Sequence, residues 1–156
     1  RQMCIRDRAA GEHAFPLLPL DVTDDASVKA TIEALIQREG RIDLLVNNAG
    51  FGVSPAAAEE SSIEQARQIF DTNFMGIVRV TRVVLPHMRH QGSGRIINIG
   101  SILGIVPLPY VALYAASKHA VEGYSGALDH ELGSRLALQG SGVQRRTVIM
   151  FDPQPG

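Results

Sequence analysis

The sequence IDLLVNNAG occupies residues 42–50 and joins a short apolar run to four polar or small residues. Residues 42–46 are predicted to form a strand buried on both faces, because Leu44, Leu45 and Val46 follow one another without polar alternation. Residues 47–50, Asn-Asn-Ala-Gly, have the composition of a loop. A strand of this kind is typical of a parallel sheet that helices cover on both sides.

Helices and further strands alternate along the rest of the chain. Capping residues in TDDAS are followed by apolar residues at helical spacing, from Val28 until Gly40 ends the helix. A long helix with one apolar stripe is predicted over about 62–90, with Pro86 expected to kink or end it, and another helix over about 112–136. Two more buried strands are predicted at residues 95–99, RIINI, and 147–151, TVIMF.

Strands separated by helices of this length indicate right-handed crossovers and a doubly wound parallel sheet. The predicted fold class is therefore α/β, a Rossmann-like but incomplete three-layer α/β/α sandwich. Sheets of this class bind ligands outside the carboxyl ends of their strands. Asp21, residues 47–50 and Ser101 all follow predicted strands, so we expect the site there.

The amino-terminal segment divides at residue 14. Residues 1–13 lack any apolar periodicity and any signal-peptide core, and are predicted to be a disordered or non-native leader. Residues 14–156 are expected to form a partial dinucleotide-binding and catalytic domain. Within it, AFPLLPLDV at 14–22 contains Pro16 and Pro19, which favour a strand at the edge of a sheet.

Composition limits the function classes. The 156 residues suit one domain, and a net charge of -1 with 20% charged residues argues against a broad surface for nucleic acid or anionic lipid. No apolar run approaches the ~20 residues of a membrane span. The single cysteine, Cys4, and the lack of zinc-ligand spacing predict no metal site and a reducing, cytoplasmic location.

A group of polar residues has the spacing of a proton-transfer site. Tyr114 and Lys118 lie four positions apart in a predicted helix, hence on one face and about 6 Å apart along the axis. Ser101 precedes Tyr114 by 13 positions, and Asn73 precedes it by 41. A phenol, with a pKa near 10 in water, is a poor base at neutral pH, but an ammonium one turn away favours its phenolate.

These spacings, with NNAG at 47–50 and DVTD at 21–24, resemble the short-chain dehydrogenase/reductase (SDR) family over about residues 18–131. The resemblance implies an NAD(P)-dependent oxidoreductase that transfers a hydride between the nicotinamide and a carbonyl or secondary alcohol. NADP is slightly favoured over NAD. The apolar loop at 102–110 suggests a hydrophobic small-molecule substrate.

The resemblance also implies residue roles. Tyr114 would be the general acid and base, and Lys118 would tune it and bind the nicotinamide ribose. Ser101 would hydrogen-bond the substrate oxygen, and Asn73 would hold a water that relays protons from Lys118 to solvent.

The cofactor contacts follow from the same likeness. Asp21 and Val22 would lie near the adenine ring, and Asn47, Ala49 and Gly50 would lie along the cofactor, together with Tyr114 and Lys118. Asp21 could instead be only a neighbour of a helix cap, and residues 47–50 only a turn after a strand.

The sequence departs from the family pattern at both ends. The glycine-rich turn T-G-x-x-x-G-x-G, which lets a backbone approach the pyrophosphate, has no counterpart in residues 1–20. A polar stretch at 133–146 replaces the family's short turn, and the threonine expected after Pro-Gly is missing. We therefore expect an internal piece of a longer reductase that is inactive by itself, with the 14–20 run about 14 Å from the 42–46 strand.

Other readings of the same residues remain open. Epimerases and dehydratases of the extended branch share the Tyr/Lys pair, although the NNAG loop argues against them. A degenerate, non-catalytic relative could use the helices 62–90 and 112–136 only for oligomerisation, and these helices would also form a homodimer or homotetramer of the parent enzyme. A serine hydrolase is excluded because no G-x-S-x-G motif occurs.

Overall fold

The computed structural model describes residues 17–139 and 142–148. The predicted leader at residues 1–13 lies outside these ranges. Three parallel strands form one sheet in the order β1 (Leu44–Asn47), β2 (Ser93–Ile99) and β3 (Gly142–Val148). The predicted parallel sheet is therefore confirmed within the described ranges.

Four α-helices connect and flank these strands. They are α1 (Asp25–Glu39), α2 (Ile63–Phe70), α3 (Gly76–Gln91) and α4 (Ala112–Gln139). A π turn at Asp71–Met75 joins α2 to α3, and short 3-10 turns lie at Ala58–Glu60 and Ile102–Gly104. The alternation of strands and helices predicted from the sequence is confirmed.

Helix α1 begins and ends at the residues that the sequence indicates. The carboxylate of Asp24 accepts a hydrogen bond from the backbone N–H of Ala26 at 2.9 Å and so caps the first turn. Gly40 ends the helix with φ of +75°, a left-handed conformation in which glycine has no steric penalty. Val28 and Ile32 are buried on the inner face of the helix.

The long helix predicted over 62–90 consists of α2, the π turn and α3. Ser62 and Gln65 form a reciprocal capping box at its start. Of the two expectations for Pro86, a kink or the end of the helix, the second is wrong, because α3 continues through it to Gln91 and ends at Gly92, whose φ is +70°. The predicted apolar stripe is also too long, since Ile63 is exposed in the first turn and has no packed surface beside it.

The hydrophobic core lies between the helices and one face of the sheet. Leu45 of β1 packs against this core, which consists of residues from α1, α3, α4 and β2 together with one residue that precedes β1: Val28, Ile32, Ile42, Val80, Val84, Met88, Ile96, Leu128 and Leu132. Burial of these side chains is the main source of stability in a sheet of this kind.

Strand β1 is not buried on both faces, contrary to the prediction. Leu44 is 52% exposed and Val46 is 48% exposed, whereas Leu45 packs on the core and Asn47 is buried. Side chains alternate across a strand, so β1 presents one face to the helical layer and leaves the other face open. The described residues thus form two of the three predicted layers.

Two other predicted strands differ in the structure. Residues 17–20 have no strand conformation, because no described strand lies beside them to receive their backbone hydrogen bonds. The last strand lies at Gly142–Val148 instead of 147–151, paired along the whole of β2 from Ser93 to Ile99. Residues 149–151 of the predicted strand lie outside the described ranges.

Candidate active site

Tyr114 and Lys118 lie close together on helix α4. The ammonium nitrogen of Lys118 lies 5.8 Å from the centre of the Tyr114 ring. Lys118 is only 7% exposed, and Tyr114 is half-buried at the surface of the same cluster. A cation this close to an aromatic ring interacts favourably with it.

Lys118 is held at the end of strand β2. Its Nζ donates a hydrogen bond of 3.0 Å to the backbone carbonyl of Ile99, the last residue of the strand. Burial lowers the pKa of Lys118 from its ordinary value of 10.5, and the negative charge of Glu122 opposes this effect. The lysine therefore lies where a buried positive charge can act on a neighbouring group.

Asn73 sits in the π turn and is fully buried. Its Oδ1 accepts a hydrogen bond from the N–H of Phe51 at 2.9 Å, while its Nδ2 donates to the carbonyl of Phe51 at 3.0 Å. Nδ2 also donates to the hydroxyl of Ser117 at 3.1 Å. Both amide hydrogens are thus bound to protein, and the side chain joins the loop after β1 to helix α4.

Ser101 follows strand β2 and starts the 3-10 turn Ile102–Gly104. Its hydroxyl oxygen accepts a hydrogen bond from the N–H of Leu103 at 3.2 Å, and its carbonyl accepts one from Gly104 at 2.9 Å. A hydroxyl that accepts in this way can still donate its own hydrogen to a substrate oxygen.

Gly104 lets the turn after Ser101 lie directly on helix α4. A Cβ at Gly104 would come 2.9 Å from the backbone carbonyl oxygen of Lys118 and 3.2 Å from Cγ of Glu122. Backbone atoms cannot give way as a flexible side chain can. The glycine is therefore required for Ser101 to be placed beside the turn of α4 that contains Lys118.

Gly50 brings the loop after β1 to the same cluster. A Cβ at this position would lie 3.1 Å from Oδ1 of Asn73 and 3.8 Å from Nζ of Lys118. The loop predicted to run along the cofactor therefore meets two of the residues predicted to be catalytic.

All five residues predicted from the loops to bind the cofactor line one cavity of about 1140 Å³: Asp21, Val22, Asn47, Ala49 and Gly50. Residues 17–23 form one wall, and residues 45–47 of β1 and its loop form another. Ligand sites commonly have volumes of about 300–1,000 Å³, so this cavity has room beyond a single ligand. Ser101, Tyr114 and Lys118 do not line it. Gly50, which does line it, lies beside Asn73 and the Nζ of Lys118.

Asp21 has the properties of an anionic hydrogen-bond acceptor at the wall of this cavity. One of its carboxylate oxygens accepts hydrogen bonds from the hydroxyl and the backbone N–H of Thr23, at 2.7 and 2.9 Å. These hydrogen bonds lower the pKa of Asp21 below its ordinary value. A carboxylate that stays ionised can accept hydrogen bonds from ligand hydroxyl or amino groups.

Sequence analysis missed a buried polar chain beside the site. Nδ2 of Asn47 donates to Oδ1 of Asn98 at 2.9 Å, and Nδ2 of Asn98 donates to the hydroxyl of Ser125 at 2.8 Å. The Asn47 side chain is thus committed to the protein interior. A polar residue within the apolar run RIINI was the available signal for Asn98, since buried polar groups almost always have partners.

Arg79 was also missed, and it fixes the wall of the cavity that contains Val22. Its guanidinium donates to the carbonyl of Val22 at 3.3 Å and to the carboxylate of Asp71 at 2.6 Å. Gly76 lies beneath the same wall, because a Cβ there would approach a methyl group of Val22 to 2.9 Å. No sequence spacing distinguished this arginine from an ordinary surface residue of the helix.

The loop next to Ser101 is apolar and exposed. Its exposed side chains are Ile102, Ile105, Val106, Leu108 and Tyr110, and Tyr110 has a φ of +65°. Contiguous exposed apolar side chains of this kind often mark a surface that binds a ligand or another part of a protein.

The described residues contain no group of three or more His, Cys, Asp or Glu side chains that could hold a metal ion. Nor does any helix within those residues have both the length and the apolar character needed to cross a membrane.

Comparison with known proteins shows the family of the chain. The family described as short chain dehydrogenase matches residues 2–138, and the chain therefore belongs to that family of oxidoreductases, which have Rossmann-type folds. The predicted family and fold class are confirmed.

Individual relatives come from several sources. A 3-ketodihydrosphingosine reductase of Bacteroides thetaiotaomicron is 46% identical over 116 residues, which are 74% of this chain and 43% of that protein. The solved structure of ElxO with NADP bound is 33% identical with a TM-score of 0.77, over 83% of this chain and 50% of that one. A short chain dehydrogenase/reductase from Burkholderia phymatum, in complex with NAD, is 33% identical with a TM-score of 0.76, over 82% and 44%. The chain spans less than half the length of the curated relatives that it matches.

Proposed function

We propose that the protein containing this chain is an NAD(P)-dependent oxidoreductase that interconverts an apolar ketone and a secondary alcohol. The observation that carries the proposal is the buried Lys118 ammonium, held 5.8 Å from the Tyr114 ring on one face of α4. A buried cation beside a phenol is the arrangement that makes a phenol useful in proton transfer near neutral pH.

Tyr114 moves the proton in this proposal. When bound, the nicotinamide supplies the hydride for reduction or accepts it in oxidation. The Tyr114 hydroxyl donates its proton to the carbonyl oxygen during reduction, and its phenolate takes the proton from the alcohol during oxidation. Lys118 stabilises the phenolate in both directions by its positive charge.

Ser101 and Asn73 support the proton transfer. The hydroxyl hydrogen of Ser101 donates to the substrate oxygen and stabilises the negative charge that develops there. Asn73 holds the loop after β1 against helix α4 through Phe51 and Ser117. A water near Asn73 would relay protons from Lys118 to solvent.

The cavity beside β1 would hold the cofactor. Of the residues that line it, Asp21 and Val22 would contact the adenosine end, while Asn47, Ala49 and Gly50 would lie along the cofactor. The lack of a side chain at Gly50 supports the fit of a cofactor to this cavity, because a side chain there would press on Asn73 and approach Lys118. Both NADP and NAD are bound by structurally similar members of the family.

The substrate class follows from the loop 102–110. Its exposed apolar side chains lie next to Ser101, where the substrate oxygen is expected. The similar reductase from Bacteroides thetaiotaomicron has a name that specifies a keto compound. Both observations favour a ketone with an apolar body over a small polar one.

Tyr114→Phe tests the proposal in the full-length gene product. Turnover should fall by about 10²–10⁴-fold, because the phenylalanine ring cannot transfer a proton. Binding of NADPH or NADH, followed by cofactor fluorescence, should be retained. The matched control is Tyr124→Phe in the same helix, where the ring packs edge to face on Phe74, and its turnover should stay near that of the unaltered enzyme. Unchanged turnover in Tyr114→Phe would refute the role of Tyr114.

Assembly and location are proposed together with the activity. Helices α2, α3 and α4 are the proposed interface of a homodimer or homotetramer, supported by a groove between α3 and α4 of about 340 Å³. A cytoplasmic location rests on the single cysteine and the absence of zinc-ligand spacing in the sequence.

A further inference from the structure

The cavity wall at residues 17–23 is held by side chains, because residues 17–24 belong to no helix or strand of the described chain. The hydroxyl of Thr31 donates to the carbonyl of Pro19 at 2.7 Å, and the hydroxyl oxygen of Ser27 accepts from the N–H of Asp21 at 3.0 Å. Both hydroxyls belong to α1, the helix that directly follows the wall. These two bonds hold the wall to α1, but they do not fix its distance from the other side of the cavity.

Arg79 joins this wall to helix α3 and to the π turn. Its Nη1 donates to the backbone carbonyls of Val22 and Asp71, both at 3.3 Å. Its Nη2 donates to the carboxylate of Asp71 at 2.6 Å, and its Nε lies 3.5 Å from the carboxylate of Asp25 in the first turn of α1. The Arg79 side chain is only 16% exposed. One side chain therefore holds acceptors of the wall, the π turn and α1.

The guanidinium of Arg79 does not face a ligand directly. Arg79 does not line the cavity, and its positive charge lies beside the carboxylates of Asp71 and Asp25. A guanidinium whose donors and charge are used in this way is not a binding group for the phosphates of a dinucleotide. Its effect on a ligand passes through Val22, which does line the cavity.

Helix α3 holds Val22 at close range. A Cβ at Gly76 would lie 2.9 Å from a methyl carbon of Val22 and 3.5 Å from its carbonyl oxygen. Gly76 and Arg79 are three positions apart, hence neighbours on the helix surface, and both contact Val22. Gly76, Ile77 and Val80 line the cavity beside them. The distance of Val22 from α3 therefore sets the width of the cavity at this end.

We propose that Arg79 is a positioning residue for the cofactor, which fixes the adenosine end of the cavity by holding the carbonyl of Val22 against α3 and Asp71. The inference rests on the proposed function, since the cavity must hold a dinucleotide. Arg79 thereby sets the affinity for the cofactor and takes no part in proton transfer. The planar guanidinium suits this role because its separate nitrogens bind several acceptors in a fixed arrangement, which the single ammonium of lysine does not.

The test compares Arg79→Met with the unaltered full-length gene product. The methionine keeps an unbranched apolar stem and removes the donors and the charge. The Kd for NADPH or NADH, followed by cofactor fluorescence, should rise by about 10-fold, because the wall is no longer held in place. The KM for the cofactor should rise with it, while kcat at saturating cofactor should stay within about 3-fold.

ADP-ribose shows which end of the cofactor is affected. This probe contains the adenosine and both phosphates and lacks the nicotinamide. Its Kd, measured by calorimetry, should rise in Arg79→Met by the same factor as the Kd of the dinucleotide. An unchanged Kd for ADP-ribose would overturn the inference, because the wall at Val22 would then not be what Arg79 holds.

Arg38→Met is the matched control. Arg38 also pairs with a carboxylate, that of Glu39 at 2.9 Å, but the two side chains are 49% and 48% exposed on α1. Its loss should leave the Kd of ADP-ribose within about 2-fold, because exposed ion pairs contribute little. Arg79→Lys, which keeps the charge, should recover part of the affinity lost in Arg79→Met. A purely structural role of Arg79 would instead lower Tm and the fraction of active enzyme, without changing the Kd of the folded protein.

The inference is overturned if Arg79→Met and the unaltered protein bind the dinucleotide equally. Should Arg79→Met not fold, Arg79→Lys decides, and a Kd for ADP-ribose equal to that of the unaltered protein overturns the inference. The two proposals fail in different ways. An unaltered protein that binds neither NADPH nor NADH refutes the proposed function, whereas equal binding by the unaltered protein and the Arg79 variant refutes only the role of Arg79.

Discussion

The two sides of the loop after β1 differ sharply in how they are built. On the packed side, the side chains of Asn73, Ser101 and Lys118 are held by hydrogen bonds within the described residues, and the Tyr114 ring lies beside Lys118. On the open side, formed by residues 17–23 and β1, apolar side chains face a cavity. The packed side is thus held together by side-chain hydrogen bonds, whereas the open side is a cavity between residues 17–23 and β1.

The largest expected effect concerns the open side. The 156-residue chain expressed alone should show no sharp calorimetric transition and should bind little NADPH, because half-exposed Leu44 and Val46 contribute little to a cooperative core. Differential scanning calorimetry and cofactor fluorescence measure both quantities. A single sharp transition together with tight binding would show that the open side is complete as it stands.

On the packed side, the free energy of unfolding should be most sensitive to substitution of Asn73. Asn73→Ala removes three hydrogen bonds and leaves the N–H and carbonyl of Phe51 without their partner, so the free energy of unfolding should fall by about 2–4 kcal/mol. Chemical denaturation of the full-length gene product measures this loss. Gln68→Ala, at an exposed side chain one turn earlier, should change it by less than about 0.5 kcal/mol. Equal effects of the two substitutions would contradict the difference between the sides.

Gly104→Ala should disturb the packed side without unfolding it. The added Cβ would meet the backbone of Lys118, so the turn containing Ser101 must move away from α4. We expect kcat to fall by about 10–100-fold, because small displacements of positioned groups are costly in catalysis. Gly52→Ala is the matched control, since a Cβ at Gly52 meets no atom within 4 Å. A kcat close to that of Gly52→Ala would argue against close packing at Gly104.

The smallest expected effect is a pH dependence of stability. Burial lowers the pKa of Lys118, so below its unfolded value of 10.5 the unfolded state binds more protons than the folded state. Stability should therefore rise with pH between the folded and unfolded pKa values. Denaturation of the full-length protein at several alkaline pH values, compared with Lys118→Met, isolates this contribution. An identical pH dependence in both proteins would exclude it.

The packed side could be predicted from the sequence in large part. Helical spacing placed Tyr114 and Lys118 on one face because α4 is regular there. The interpretation of β1 as buried on both faces was wrong. An apolar run shows that both faces of a strand can be buried, but it does not show whether another part of the protein covers each face. Gly104, which lets the turn after Ser101 lie on α4, had no distinctive signal in the sequence.

Strand β3 shows a different limit of prediction. The most apolar stretch, TVIMF, indicated a strand over 147–151, yet the paired segment Gly142–Val148 includes Gln144, Arg145 and Arg146. Pairing depends on the backbone that β2 presents, and a polar segment can satisfy it as well as an apolar one. Hydrophobic pattern alone could not place this boundary.

The π turn at Asp71–Met75 also constrains how this segment tolerates changes of length. A π turn contains more residues than an α-helical turn, and within this one Asn73 lies against Phe51. Deletion of one residue there would allow one continuous α-helix, but would rotate α2 by about 100° relative to α3. Ile69 would then leave the interior, so even a single-codon deletion in this stretch should be far less acceptable than one at Gly52.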